Sequence, residues 1–304
     1  MTDTTHVGTK KSTIVRANDT QLAVLRTAFG TLDRVSPRLA GRLAARVWCT
    51  LPRPNGRSRD DRPATGRLGS ASARSAVTLP DGRRVATETW GDGPPIYLVH
   101  GCGGWRGQLG TFVAPLVERG HRVVAFDAPS HGESGPGRHG PRRTTGLEFM
   151  EALDAVVAGF GPPSGIVAHS LGSAMSALAI SDGVPAPARL ALVAPTVGPL
   201  PHITMMARMF GFSDRTQRAM IDRLEEMLGR PMSDFDTLKL SRPMPRTLII
   251  HDRHDKEVPL AEGVQLAEAW PDVELVTTEG LGHRRILRDP GVVERVTGFV
   301  TASG

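Results

Sequence analysis

The chain has 304 residues, of which 39% are hydrophobic and 22% are charged, the composition of an ordinary globular protein. That length allows one large core, or one core with a small appended unit. No stretch of about 18 uncharged apolar residues occurs, and the first residues lack the apolar core of a signal peptide. The two cysteines, Cys49 and Cys102, are too few for a disulfide framework. We therefore expect a cytoplasmic protein without a membrane-spanning helix.

The positive charge is concentrated at one end of the chain. Residues 1–75 carry a net charge of +9, whereas residues 76–304 carry −3, which gives the overall +6. A protein that binds nucleic acid through its main domain needs its basic residues on that domain. The charge distribution therefore argues against nucleic acid as a partner of the larger part of the chain.

Residues 1–74 are predicted to form a basic helical extension and a linker. Apolar residues at helical spacing predict a first helix over 19–33. The pair Ser36-Pro37 predicts the start of a second helix, because serine is a good N-cap and proline suits the first turn. Residues 52–74 are rich in Pro, Gly, Ser and Arg, which is typical of a linker.

The second predicted helix separates an arginine stripe from an apolar surface. The stripe consists of Arg38, Arg42 and Arg46. The apolar surface consists of Leu39, Leu43, Val47 and Trp48. Such a helix either packs on the rest of the protein or lies on an anionic membrane. We favour packing, because the first helix also carries apolar residues that need burial, and keep peripheral membrane contact as the alternative. The two helices could also cover each other or line the entrance of a cap that is inserted in the main domain.

From residue 75 onward, short apolar runs alternate with helical segments. A Pro-Asp-Gly turn within residues 75–91 predicts a β-hairpin. Six apolar runs follow, at 96–100, 122–127, 165–169, 190–195, 246–252 and 273–278, with amphipathic segments at 107–119, 145–160, 171–182, 261–269 and 290–301. Apolar strands separated by helices indicate an α/β fold with a mostly parallel sheet and helices on both faces.

One connection is too long for this alternation. About 50 residues separate the strand at 190–195 from the strand at 246–252, and they contain helical segments of their own. An insertion with its own structure is typical of a lid or cap. We therefore predict a main domain over 75–304 with a cap insertion over about 197–243.

Three polar residues follow predicted strands where nucleophilic catalysis needs them. Ser170 ends the run "IVAH" and precedes small residues such as Gly172, which suits either a tight turn or a nucleophile held above a sheet. A serine nucleophile needs a base, and a carboxylate that orients the base. Asp255 and His283 follow the last two strands, and the ends of parallel strands meet at one edge of a sheet. Asp252 is a competing candidate for the acid.

Five motifs in order resemble those of the α/β-hydrolase family with a helical cap. They are "VHGCGG" (99–104), "FDAPSHGES" (126–134), "AHSLG" (168–172), "DKEVP" (255–259) and "GLGH" (280–283). The resemblance covers residues from about 85 to 300 and departs from the family pattern at Ala168, where a glycine is usual. It implies that Ser170 is the nucleophile, Asp255 the acid and His283 the base.

The resemblance also assigns an oxyanion hole and the loop that supports it. The main-chain N–H groups of Cys102 and Leu171 would bind the oxyanion, and His100 and Gly101 belong to the supporting loop. His100 is expected to brace that loop by hydrogen bonding. The cysteine is expected to act through its amide, with its thiol lining the pocket.

The function implied is a serine hydrolase that cleaves a carboxylic ester, thioester or lactone through an acyl-enzyme. Its partner is a small-molecule substrate with an apolar acyl part, and the sequence does not specify an oligomeric state. No metal or cofactor is expected, because metal-binding motifs and a Gly-rich phosphate loop are missing from the sequence. A carbon–carbon bond hydrolase and a cofactor-free perhydrolase share these motifs. A catalytically silent member that binds a small ligand under its cap is a further alternative.

Relatives that attack with a carboxylate are disfavoured by the same resemblance. Epoxide hydrolases and haloalkane dehalogenases of this fold carry that carboxylate at the turn where this chain has Ser170. The serine therefore favours an acyl carbon as the target.

Overall fold

The computed structural model describes residues 19–51 and 73–302. Most of the predicted linker and the residues before the first helix lie outside the described residues. Within the described part, one eight-stranded sheet lies between two layers of helices. The α/β fold predicted from the alternation of strands and helices is thereby confirmed.

The sheet is parallel except at one end. Its strands are β1 (Ala73–Thr78), β2 (Arg84–Trp90), β3 (Pro95–Val99), β4 (Arg122–Phe126), β5 (Gly165–His169), β6 (Arg189–Val193), β7 (Arg246–Asp252) and β8 (Val273–Thr278). Their order across the sheet is β1-β2-β4-β3-β5-β6-β7-β8. The predicted hairpin forms β1 and β2, which pair antiparallel, and β2 also runs antiparallel to β4. The pairings from β4 to β8 are all parallel.

Most of the described helices follow the predicted segments closely, whereas the short helix that contains His283 was predicted as a loop. The described helices are α1 (Asp19–Val35), α2 (Pro37–Trp48), α3 (Val113–Glu118), α4 (Gly146–Phe160), α5 (Leu171–Asp182), α6 (Pro199–Phe210), α7 (Asp214–Leu228), α8 (Leu260–Ala269), α9 (Gly282–Arg285) and α10 (Pro290–Thr301). Ser36 caps α2 as predicted, since its hydroxyl accepts a hydrogen bond from the N–H of Leu39. Among the described residues, no helix is long and apolar enough to cross a membrane.

One helical prediction differs from the structure. The segment 107–119 is not a continuous α-helix, because residues Arg106–Phe112 form a 3₁₀ helix and α3 begins only at Val113. Gly107 and Gly110 lie in that first part, and glycine has low α-helical propensity. The local sequence therefore favours the tighter turn before the α-helix starts.

Both faces of the sheet are buried. Ile96 and Leu98 of β3 belong to a core shared with α3 and α10, whereas Tyr97 and Val99 belong to a second core shared with α4 and α5. Successive side chains of a strand point to opposite faces, so a strand buried on both faces must be apolar throughout. This requirement explains why the strands appear in the sequence as apolar runs without alternation.

The two N-terminal helices pack on α6 and α7, the helices of the long connection between β6 and β7. Helix α2 buries Ala40, Gly41, Ala44 and Ala45. Leu39 and Leu43, which the packing interpretation assigned to the buried surface, are 52% and 43% exposed. That assignment was wrong because α2 lies so close to α7 that only small side chains fit between them.

Candidate active site

Ser170 lies at a sharp turn between β5 and α5. Its φ of 54° and ψ of −124° form a conformation that residues other than glycine seldom adopt. The turn brings α5 close to the neighbouring strand, and a methyl group at Gly172 would collide with the main-chain oxygen of His100. The half-buried Ser170 side chain faces a cavity. The strained turn thus presents a hydroxyl at the carboxyl edge of the sheet.

The structure brings the three predicted side chains into one hydrogen-bonded chain. His283 Nε2 lies 3.0 Å from Ser170 Oγ, and His283 Nδ1 lies 2.7 Å from Asp255 Oδ2. An ionised carboxylate only accepts, so Nδ1 carries the hydrogen and Nε2 is left to accept from the hydroxyl. The Asp255 side chain is fully buried and that of His283 nearly so. This arrangement can remove a proton from Ser170.

Asp255 is held by its own loop. Its Oδ1 accepts hydrogen bonds from the N–H groups of Glu257 at 2.8 Å and Val258 at 2.9 Å. His251 lies on the other side, with Nε2 at 3.6 Å from Oδ2 and donating to the main-chain oxygen of Val258 at 3.1 Å. One carboxylate oxygen is therefore occupied by the loop, and the other is directed to His283.

Asp252, the competing acid, has a different set of partners. Its Oδ2 accepts hydrogen bonds from the Thr278 hydroxyl and from the N–H of Leu281, both at 2.9 Å. Burial opposes ionisation of Asp252, but these hydrogen bonds outweigh it and hold the pKa of the carboxyl below its ordinary value. Its carboxylate therefore anchors the loop that leads to His283. His169 supports the same loop, because its Nε2–H donates to the main-chain oxygen of His283 at 2.9 Å.

The predicted oxyanion donors lie around the same cavity. Leu171 begins α5 directly after Ser170, and Cys102 follows Gly101, whose backbone lies close to the Ser170 side chain. Both donor residues line the cavity. Within the described ranges, the N–H groups of Cys102 and Leu171 have no hydrogen-bond acceptor. Unpaired N–H groups beside a nucleophile can stabilise negative charge on a substrate oxygen.

Two buried histidines brace the loop that carries Cys102. His100 accepts a hydrogen bond from the N–H of Ala128 at 3.0 Å, and its Nδ1–H donates to the oxygen of Gly101 at 2.7 Å. His131 accepts from the N–H of Gly103 at 3.0 Å. Burial lowers the pKa of His100 to about 4 and that of His131 to about 3. Both rings are therefore neutral near pH 7, as accepting through Nε2 requires.

A buried arginine that the sequence interpretation did not single out holds the far end of this loop. Arg106 is only 3% exposed and contacts Glu88 at 3.0 Å and Glu133 at 2.8 Å. It also pairs with Asp127, whose carboxylate accepts from the Arg106 main-chain N–H at 2.7 Å. Burial opposes the charge, but the carboxylates, Asp127 foremost, raise the pKa of Arg106. The sequence did contain a sign of this arginine, because Asp127 in the motif "FDAPSHG" had been given no basic residue as its ion-pair partner.

Ser170 and His283 open into a cavity of about 530 Å³. That volume lies within the range of about 300–1,000 Å³ that is usual for small-molecule sites. Much of the apolar lining comes from two separate segments, with Met206, Leu224 and Phe235 from the β6–β7 connection and Val47, Trp48 and Leu51 from the N-terminal segment. Other parts of the main domain add Leu171, Met175, Val258 and Leu287. Among the described residues, no group of three His, Cys, Asp or Glu side chains could hold a metal ion.

The chain matches a family model over most of its main domain. The model of the alpha/beta hydrolase family matches residues 96–296, about two thirds of the chain. A solved structure, that of an esterase from Pyrococcus furiosus, is similar with a TM-score of 0.60 and 18% identity, covering 83% of this chain and 96% of that chain. At that identity, the likeness concerns the fold alone.

Two curated relatives are similar over shorter segments. A non-heme haloperoxidase from Rhodococcus erythropolis is 41% identical over 68 residues, which are 21% of this chain and 23% of the relative. A haloalkane dehalogenase from Mycolicibacterium paratuberculosis is 36% identical over 69 residues, which are 23% of this chain and 22% of the relative. The chain thus matches less than a quarter of the length of either relative.

Proposed function

Because the chain belongs to the alpha/beta hydrolase family, we propose that it is a serine hydrolase that cleaves a carboxylic ester, thioester or lactone. Family membership supports hydrolase activity in general. The observation that carries the serine mechanism is the hydrogen-bonded chain from Ser170 through His283 to Asp255. The apolar cavity beside Ser170 supports an acyl group as the part of the substrate that is bound.

Acylation begins with proton transfer from Ser170 to His283. As Ser170 Oγ bonds to the carbonyl carbon, Nε2 of His283 takes the hydroxyl proton, and the Asp255 carboxylate stabilises the imidazolium without being protonated. The N–H groups of Cys102 and Leu171 stabilise the oxyanion of the tetrahedral intermediate. The intermediate then collapses, His283 returns the proton to the leaving alcohol or thiol, and the acyl group remains on Ser170.

Deacylation repeats these steps with water. His283 removes a proton from a water molecule, whose oxygen attacks the acyl carbon. Collapse of the second tetrahedral intermediate breaks the bond to Ser170, which regains its proton from His283, and releases the carboxylic acid. The same base thus serves both halves of the reaction.

A fluorophosphonate probe tests this proposal, because it reacts with activated serines. The wild-type protein should be labelled and should hydrolyse p-nitrophenyl acetate, whereas Ser170→Ala should do neither. Ser181→Ala is the matched control, since Ser181 lies in the last turn of the same helix and contacts Ser241 rather than the cavity. Labelling that persists in Ser170→Ala would refute the assignment, and an unlabelled wild-type protein would favour the silent ligand-binding alternative.

A cofactor-free perhydrolase is the second candidate, favoured by the similarity to a non-heme haloperoxidase. In that reaction hydrogen peroxide replaces water in deacylation. His283 removes a proton from hydrogen peroxide, whose oxygen attacks the acyl carbon. The bond to Ser170 then breaks, Ser170 regains the proton from His283, and a peracid is released.

Peracid formation from p-nitrophenyl acetate in the presence of hydrogen peroxide distinguishes the two candidates, because both reactions then start from the same acyl-enzyme. A hydrolase should form peracid far more slowly than it hydrolyses p-nitrophenyl acetate, whereas a perhydrolase should show comparable rates. Ser170→Ala should abolish both reactions, so peracid formation that survives this substitution would not be due to the site.

A further inference from the structure

The N-terminal segment forms part of the cavity that contains Ser170. Five consecutive residues line this cavity, namely Val47, Trp48, Cys49, Thr50 and Leu51. All of these residues precede residues 96–296, the segment that matches the family model. One wall of the candidate active site is therefore supplied by a part of the chain that the family match does not cover.

Helix α2 and the cap helix α7 lie side by side and run in the same direction. The Thr216 hydroxyl lies 3.4 Å from the main-chain oxygen of Pro37. Gly41 lies one turn after Pro37 in α2, and Ala219 lies one turn after Thr216 in α7. A Cβ added at Gly41 would lie 2.7 Å from the main chain of Ala219. Continuing this register places Trp48 level with the last turn of α7. The interface between the two helices thus leads directly into the cavity.

The wall is fixed at its end by main-chain hydrogen bonds. The N–H of Leu51 donates to the oxygen of Arg142 at 2.8 Å, and the N–H of Thr144 donates to the oxygen of Cys49 at 3.0 Å. These bonds join the end of α2 to the loop before α4 in the main domain. A wall that is held in this way is ordered before a ligand binds, so little entropy is lost in ordering it.

The N-terminal helices that carry the wall are also fixed to the cap through α1. Asp33 accepts a hydrogen bond from the hydroxyl of Ser213 at 2.6 Å, where α7 begins. Phe29 is buried against the rings of Phe210 and Phe212, at centroid distances of 5.6 and 4.7 Å. The N-terminal helices therefore hold the cap and the wall as one packed unit.

We infer that residues 47–51, at the end of α2 and directly after it, form the acyl-selectivity wall of the active site, with Trp48 as its main contact. The inference rests on the proposed function for the reacting bond but concerns the bound acyl chain. Tryptophan offers a large rigid apolar surface, and the facing cap residues Met206, Leu224 and Phe235 are apolar as well. An acetyl group has only one methyl beyond the carbonyl, whereas an octanoyl group fills more of the cavity. The substrates are therefore esters or thioesters of apolar acyl chains long enough to reach Trp48.

The ratio of kcat/KM for p-nitrophenyl octanoate to that for p-nitrophenyl acetate tests the inference. Trp48→Ala should lower this ratio about tenfold, because contacts with several methylene groups are lost. Trp48→Phe should lower it less, which provides a second variant with a smaller change in packing. Leu43→Ala is the matched control, since Leu43 lies on the same helix but is exposed. A ratio that Trp48→Ala leaves within about twofold of wild type, at the level of that control, would overturn the inference.

A binding measurement separates this inference from the proposed function. Octanamide, a neutral analogue of the acyl part, is titrated by calorimetry into Ser170→Ala protein with and without Trp48→Ala. The wall predicts a dissociation constant about tenfold higher without the tryptophan, even if no ester is hydrolysed by the wild type. Equal affinities, or no octanamide binding to Ser170→Ala, would reject the wall. Loss of ester hydrolysis alone would count only against the proposed function.

Discussion

The two sides of the cavity are held in place by different forces. At the carboxyl edge of the sheet, hydrogen bonds of 2.7 to 3.0 Å fix the position of His283 relative to Ser170 and Asp255. On the opposite side, α2 and α7 meet through small and apolar side chains, with Gly41 against Ala219. Hydrogen bonds depend on distance and angle, whereas apolar contacts are non-directional. Substitutions at the sheet edge should therefore change turnover, and substitutions at the wall should change chain-length preference and stability.

The largest effect is expected at Ser170 and His283. Ser170→Ala or His283→Ala should each lower kcat by about 10³-fold or more, because the proposed nucleophile or its proposed base is lost. The melting temperature of Ser170→Ala should change little, since the Ser170 side chain is only half-buried. Ester hydrolysis and thermal unfolding, measured on the same preparations, check both statements. A kcat within tenfold of wild type for either variant would contradict the role proposed for that residue.

Two neighbouring carboxylates provide the next test. Asp255→Asn should lower kcat by about 10²–10⁴-fold, because the amide no longer stabilises the His283 imidazolium. Asp252→Asn should act mainly on stability, by about 1–3 kcal/mol, because the Thr278 and Leu281 donors lose their ionised acceptor. Steady-state kinetics and urea denaturation of both variants measure these terms separately. The reverse pattern, with Asp252→Asn the more damaging to kcat, would transfer the acid role to Asp252.

The sheet edge should also be the acid-sensitive side of the cavity. Burial lowers the pKa of His100 to about 4 and that of His131 to about 3. The unfolded chain, with histidine pKa values near 6.5, binds these protons first as the pH falls. Stability is therefore fully present above pH about 6.5 and decreases below it, down to about pH 4 for His100 and about pH 3 for His131, by up to about 1.4 kcal/mol per pH unit for each histidine.

Urea denaturation from pH 7 to pH 5 measures this slope. His131→Gln should reduce the slope, because one buried group that titrates only on unfolding is removed. Equal slopes in wild type and His131→Gln would show that this ring does not contribute.

Substitutions of two helix glycines have the smallest expected effect, which is on stability. They test most sharply how closely α2, the helix that carries the wall, packs against α7. At Gly41 a methyl group would meet the main chain of Ala219 at 2.7 Å, whereas at Gly30 in α1 it would meet nothing within 4 Å. Gly41→Ala should lower the free energy of unfolding by about 1–3 kcal/mol through overpacking. Gly30→Ala should raise it by about 0.5–1 kcal/mol, since alanine favours helix. Chemical denaturation of both variants decides, and stabilisation by Gly41→Ala would contradict the close approach of α2 to α7.

The sequence by itself determined the order of the strands along the chain and the place of the polar residues after them. Apolar runs of five to seven residues separated by helical segments have few alternatives to a parallel sheet. Because the ends of parallel strands meet at one edge, Ser170, Asp255 and His283 could be grouped before any distance was known. The motifs that follow each strand are local, and local patterns are what a sequence expresses directly.

Only the tertiary structure decided which surface of α2 is buried and what it faces. Hydrophobicity pointed to Leu39 and Leu43, yet the buried residues are the small ones around Gly41. Two helices that approach closely select side chains by size, and the partner helix α7 is about 180 residues away in the chain. Because of the same separation along the chain, the sequence did not identify Trp48 as a residue that lines the cavity. Its spacing marks it as apolar, but its role depends on a contact between distant segments, which periodicity within one helix does not encode.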